Sequence, residues 1–368
     1  MKRVLCIFFV ICLLLCACNK APAEQTTEPT QVTTVNVTTE PTTEPATSEP
    51  TQETTVPEET VPAEVKYRNP LTGEPVEELY TARPYAVMIN NSSYAQPMCS
   101  LNSASILFEV LAEGGITRCV AVFSDIEGLD HIGAVRSARP YFVRLAYSLD
   151  AIFIHHGGST AGMEEIGILD VDNMNFMGNA GEVYYRDQYR LDAGYDLEHT
   201  SFFDGDDLLD EVADEGYATV RENGIDYGFA FADAGSTTDG ESVTEFKVVF
   251  GGWNKTTGFV YNEDTGKYDA SQYGGDIVDG NTDEIVSFRN VLMITADTHT
   301  NDDATLVIDL LGEGEGYFAC DGKLVPINWS RSAEGEPFVF THEDGTPITF
   351  GVGNTYIAVT PLTGVLEY

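Results

Sequence analysis

The chain has 368 residues, with 59 Asp and Glu against 19 Lys and Arg and a formal net charge of −40 at pH 7. A surface this acidic repels phosphodiester backbones and anionic lipid headgroups, so nucleic acid is excluded as a partner and charge does not supply membrane attachment. Past the first twenty residues, Cys99, Cys119 and Cys320 lie far apart with no Cys-x-x-Cys spacing, so neither a zinc cage nor any other metal site or cofactor is expected.

The chain opens with Lys2 and Arg3, an apolar run from Val4 to Leu15, and then Leu15-Cys16-Ala17-Cys18. Charge, a short apolar segment and a small residue before a cysteine form the pattern of a lipoprotein signal peptide. The expectation is a signal over 1–17, cleavage before Cys18, and acyl chains on that cysteine. The apolar run is too short for a membrane-spanning helix, whereas two acyl chains suffice for stable anchoring. The alternative is an ordinary secretory signal. Residues 18–66 then read as a disordered linker of Thr, Pro and Glu with recurring Thr-Thr-Glu-Pro, as at Thr38–Pro41 and Thr42–Pro45. Such a stretch buries too little apolar area to offset the entropy of ordering. Its prolines favour extended geometry at roughly 3 Å per residue, for a reach on the order of 100 Å. The expected location is the extracytoplasmic face of the cell membrane.

Residues 67–205 alternate strands and helices. Tyr85–Ile89, Ile106–Leu111, Thr117–Phe123 and Ala151–His155 read as buried strands, with Glu113-Gly114-Gly115 as a turn. Pro140–Ser148 carries Phe142, Leu145 and Ala146 at helical spacing, with proline in the first turn. Residues 206–245 read as a helix stopped by Gly216, then a loose connector. From 246 to 368 the pattern is nearly all β, with strands expected at Phe246–Phe250, Phe259–Tyr261, Val291–Ile294, Thr305–Leu310, Tyr317–Cys320 and Tyr356–Val359. Asp264-Thr265-Gly266, Asp321-Gly322 and Asp344-Gly345-Thr346 mark turns between them. The expected class is α+β: an N-terminal three-layer α/β domain followed by a β-rich C-terminal domain.

Several motifs resemble the YerB-like lipoproteins, a family defined by a domain of unknown function. They are Asn69-Pro70-Leu71-Thr72-Gly73, Arg83-Pro84 leading to Val87-Met88-Ile89-Asn90-Asn91, Glu113-Gly114-Gly115-Ile116-Thr117-Arg118, and Ile132 to Arg139. His155 to Ser159, His199 within Glu-His-Thr-Ser-Phe-Phe, and Ile327-Asn328-Trp329 also fit. The resemblance implies the two-part architecture and no activity. Ala134 and Glu198 stand where such proteins tend to carry proline.

Arg136 and Arg139 flank Ser137-Ala138 just before a helix, where two guanidiniums and free helix amides suit an anion. Arg118, Ser137 and His156 join them as candidate ligand-binding residues. The alternative is that both arginines pair with Glu109 and Glu113 and only brace the fold. His155 and His199 are the candidate proton-transfer groups, His155 because it ends a buried strand at a glycine loop. A histidine bonded to a loop carbonyl is the plainer alternative. Gly-x-Ser-x-Gly is absent, which argues against a serine hydrolase. Two functions stand at this point. One is an envelope lipoprotein that binds an anionic cell-wall ligand or an envelope protein. The other is an envelope enzyme acting on a phosphorylated or glycan substrate with an arginine clamp and a histidine acid/base.

Overall fold

The run Tyr85–Asn90 is buried at every position and forms an interior strand of a large sheet. A computed structural model describes residues 66–368, except 236, 238, 252–254, 303 and 304. The expected signal segment, Cys18 and the Thr/Pro/Glu stretch lie outside the described residues, as do parts of the connector. The described body falls in one compact unit, Pro62–Tyr368.

Eleven strands make up the main sheet among the described residues. Ile106–Leu111 pairs antiparallel with Thr117–Phe123, which pairs with Tyr85–Asn90, followed in parallel by Ile152–His155 and Asn173–Asn175. On its other side Ile106–Leu111 pairs in parallel with Thr355–Pro361, near the end of the chain. Thr355–Pro361 pairs with Asn290–Ala296, which leads to the long hairpin of Gly312–Cys320 and Lys323–Arg331. The two compositionally distinct halves of the sequence are thus stitched into one sheet by backbone hydrogen bonds. All six strands expected after residue 246 form, with ends displaced by a few residues. The strands Lys267–Gln272, Lys323–Arg331 and Val339–His342 are additional.

A second sheet of six strands is built on Glu245–Val249, Thr256–Asn262 and Lys267–Gln272. It packs on the main sheet through Phe259 and Phe288, whose rings lie 4.8 and 5.4 Å from Tyr356. Helices α1 (Pro140–Ser148) and α2 (Thr160–Leu169) lie against each other, and α1 also lies against Thr117–Phe123 and Ile152–His155. Helix α1 forms where proline and spacing predict it, and buries Tyr141, Phe142, Val143, Leu145 and Ala146. The Glu113-Gly114-Gly115 turn closes the central hairpin with φ of +80° and +74° at its glycines, a conformation that excludes most other residues. Asp206–Glu215 appears as the helix Gly205–Asp214. The three remaining cysteines are buried free thiols.

Candidate functional site

The segment before α1 decides the site. Proline at 140 disfavours helical backbone at the residue before it, so Arg139 is extended, at φ −137° and ψ 157°. The stretch Val135–Arg139 runs as an extra strand between two neighbours. Arg136 N–H donates to Met88 O at 2.9 Å, Ala138 N–H to Gly157 O at 2.9 Å, and His156 N–H to Arg136 O at 3.0 Å. Two consequences correct the expected clamp. The Arg136 and Ala138 amides are used in these pairings and are not free to face a ligand. Residues three apart on extended backbone also point to opposite faces, so Arg136 and Arg139 diverge.

Arg139 Nε donates to Glu113 Oε1 at 2.7 Å. Arg136 Nη1 donates to Glu198 Oε2 at 2.6 Å. Bracing by Glu113 is therefore present for Arg139, but Glu109 takes neither arginine and lies in a separate network. Arg118 stands between the two. It lies in the central hairpin, opposite Asn90 of the neighbouring strand, is 5% exposed, and donates through Nη1 to Ser137 O at 2.8 Å. Burial, then the charges of Arg139 and Arg136, push its pKa down to about 10. The Nε atoms of Arg118 and Arg136 are both buried without a hydrogen-bond partner, as are Glu113 Oε2 and Tyr141 Oη close by.

The histidines separate into distinct roles. His155 is fully buried, with Nδ1 2.8 Å from Gly157 O and Nε2 3.1 Å from Asn173 Oδ1. Both ring nitrogens are thus committed to the scaffold, which corrects its candidacy for proton transfer. His156 is half-buried between Ser201 Oγ at 2.8 Å and Arg186 Nη2 at 3.3 Å. Since a guanidinium only donates, Nε2 accepts and the proton sits on Nδ1. Burial first, then Arg186, His155 and Arg136, hold its pKa down at about 4. Ser137 Oγ donates to His156 O at 3.0 Å, a loop-bracing bond.

His199 keeps a polar chain. Its Nδ1 lies 2.8 Å from Asn90 Nδ2, and its Nε2 lies 3.6 Å from Glu198 Oε1. Asn90 donates to Nδ1, which places the ring proton on Nε2, toward the carboxylate. Glu198 therefore joins His199 to Arg136, and Arg136 holds its carboxyl below the ordinary range. Of the four groups expected to converge, Arg136 and His199 meet on one carboxylate, Arg139 faces Glu113, and His155 is withdrawn. A cavity of about 590 Å³ lined by Glu313, Glu315, Asn328, Trp329 and Thr341 shares no residue with this cluster. Glu198 and Asn90 were not foreseen as site residues. The only signal for Glu198 was its departure from the proline expected there.

Comparison with known proteins accounts for the architecture. Residues 71–218 match the N-terminal domain, and residues 246–357 the C-terminal domain, of the family described as "Protein of unknown function (DUF3048)". A curated relative from Bacillus subtilis (strain 168), named "Putative lipoprotein YerB", is 31% identical over 300 residues, covering 80% of this chain and 87% of the relative. The crystal structure of YerB protein from Bacillus subtilis superposes with a TM-score of 0.71 at 28% identity, over 82% of this chain and 99% of that one. Family match, identity and shared fold agree: this chain belongs to the YerB-like DUF3048 family.

Proposed function

We propose that this protein is an envelope lipoprotein that binds an anionic ligand at Arg118, with Arg136 and Arg139 on either side of it. The observation that carries this is the pair of buried, unpartnered Nε–H groups of Arg118 and Arg136. Buried polar groups are nearly always paired, and an orphaned one is explained by strain, function or an ion. Three guanidiniums near one another, balanced among the described residues by Glu113 and Glu198, leave a positive surplus in an otherwise acidic body. A phosphate-like or carboxylate ligand would relieve the repulsion that lowers the Arg118 pKa. The lipid on Cys18 and the Thr/Pro/Glu stalk would hold this site in the cell wall, in keeping with the lipoprotein name of the Bacillus relative.

The enzyme alternative has one observation in its favour, the Asn90–His199–Glu198 chain with Arg136 on the same carboxylate. One titration separates the two. Inorganic phosphate, pyrophosphate and a dicarboxylate are titrated calorimetrically into the full chain and into Arg136→Met. Saturable heat that disappears in the variant supports anion binding. No heat from any of the three at millimolar concentration overturns it. Release of phosphate or sugar from phosphorylated or glycan substrates, lost in His199→Gln, would instead establish the enzyme.

A further inference from the structure

Behind the arginine site, where the two sheets meet, lies a second buried cluster. Glu109 is fully buried, Asn91 is fully buried, and Lys255 is 4% exposed. Asn91 directly follows the strand Tyr85–Asn90, and Lys255 directly precedes the strand Thr256–Asn262. These strands and their sheet neighbours present further donors. Glu109 Oε1 accepts from Asn91 Nδ2 at 3.0 Å and Thr117 Oγ1 at 2.6 Å. Its Oε2 accepts from Thr257 Oγ1 at 2.8 Å, Gln272 Nε2 at 2.9 Å and Tyr356 Oη at 2.6 Å. Five neutral donors already satisfy this carboxylate.

Lys255 is therefore in excess. Its Nζ lies 3.3 Å from Oε1 and 4.2 Å from the Tyr273 ring centroid, and makes no hydrogen bond. Asn91 Oδ1 and Gln272 Oε1 are also buried here without a hydrogen-bond partner. Tyr273 Oη donates to the Asn91 backbone carbonyl at 2.6 Å, so one side chain packs against both groups. An amine and a carboxamide thus share one carboxylate oxygen in a deeply buried site. This is the arrangement that intramolecular amide exchange needs: reacting groups held together, a desolvated lysine, and a carboxylate that moves the proton.

We propose that Lys255 and Asn91 are joined by an isopeptide bond whose formation Glu109 promotes. The lysine ammonium passes a proton to Glu109, leaving a free electron pair on Nζ. The Asn91 amide turns so that Oδ1 accepts from the new Glu109 O–H and from Thr117. Nζ attacks Cγ, forming the Nζ–Cγ bond. The Cγ–Nδ2 bond then breaks, and Nδ2 departs as ammonia after taking up a proton from Nζ. Glu109 returns to carboxylate when it releases its proton to the ammonia, which leaves as ammonium. Atoms and charge balance, and no oxidant or reductant takes part. The product removes a buried cation, gives Glu109 an amide N–H donor, and ties the first half of the chain covalently to the second.

The test is peptide mapping of the purified full chain. Trypsin should fail to cleave after Lys255. The digest should contain a branched peptide joining the Asn91 and Lys255 segments, lighter by about 17 Da, the mass of one ammonia, than the sum of the Asn91 peptide and the Lys255 segment uncut at Lys255. Glu109→Gln should return three linear peptides, the one holding Asn91 and the two on either side of a cleaved Lys255. Linear peptides alone in the wild-type digest overturn the proposal, whether or not the variant folds. A branched peptide in Glu109→Gln as well as wild type overturns the role assigned to Glu109.

Discussion

Replacing Arg118 with methionine separates a binding arginine from a structural one. The guanidinium is 5% exposed, and its pKa is held down at about 10 by burial and by Arg139 and Arg136. At ~1.4 kcal/mol per tenfold change, this depression represents about 3 kcal/mol of unfavourable interaction by the charged form. Against it stands one charge-assisted hydrogen bond, to Ser137 O at 2.8 Å, which contributes about 1.5–3 kcal/mol. The two effects nearly cancel, and methionine keeps most of the apolar stem in place. Arg118→Met should therefore fold with a stability within about 1 kcal/mol of wild type, a shift in Tm of no more than about 4 °C. Its affinity for pyrophosphate should nevertheless fall at least tenfold, because about 1.4 kcal/mol or more is lost with a charged partner. Thermal unfolding and calorimetric titration on one preparation measure both quantities. A loss of more than about 3 kcal/mol in stability with unchanged pyrophosphate affinity would make Arg118 a brace and refute the reasoning.

Glu198→Gln frees Arg136 from a half-exposed carboxylate, so stability should change by less than about 1 kcal/mol while phosphate affinity rises; weaker binding in the variant would count against Arg136 as a ligand group. The same substitution should lower the His199 pKa, since Glu198 opposes the effect of burial there, and an NMR titration of the ring reads this directly. His155→Ala removes a fully buried ring that bridges Gly157 and Asn173, and should cost about 2–4 kcal/mol in urea unfolding. Burial lowers the folded-state pKa of His131, His155, His156 and His199, to about 4 for His156. Between about pH 6.5, the unfolded value, and pH 4, the unfolded chain binds more protons than the folded one. These histidines' contribution is thus complete above about pH 6.5 and is lost as pH falls, so the urea midpoint should drop from pH 7.5 to pH 5 and drop less in His156→Gln.

Much of the fold was legible because its signals are local. Helix α1 follows from Pro140 and from apolar residues at helical spacing, and the turn at Gly114-Gly115 from two glycines between apolar runs. The strand missed at Lys267–Gln272 carries charged or polar side chains on alternate positions, Pro326 interrupts the apolar run in Lys323–Arg331, and Val339–His342 is only four residues long, so none shows as an unbroken apolar run. The arginines were legible as unusual residues in an acidic chain, but their directions were not. Extended backbone before Pro140 sends Arg136 and Arg139 apart, and only the pairing of Val135–Arg139 with Met88 and His156 reveals that backbone.

By itself the sequence determined the α+β class, the stepwise change from Thr/Pro/Glu repeat to globular body, and membership of the YerB-like family. Composition and periodicity are properties of short windows, and they survive without any knowledge of the fold. Tertiary structure alone decided what the charged residues do. Glu198 reaches Arg136, and Glu109 gathers Asn91 and Lys255, across long stretches of chain that only sheet pairing brings together. Whether a buried histidine or arginine is committed or free depends on partners supplied by distant strands, so His155 became scaffold and Arg118 moved to the centre of the site.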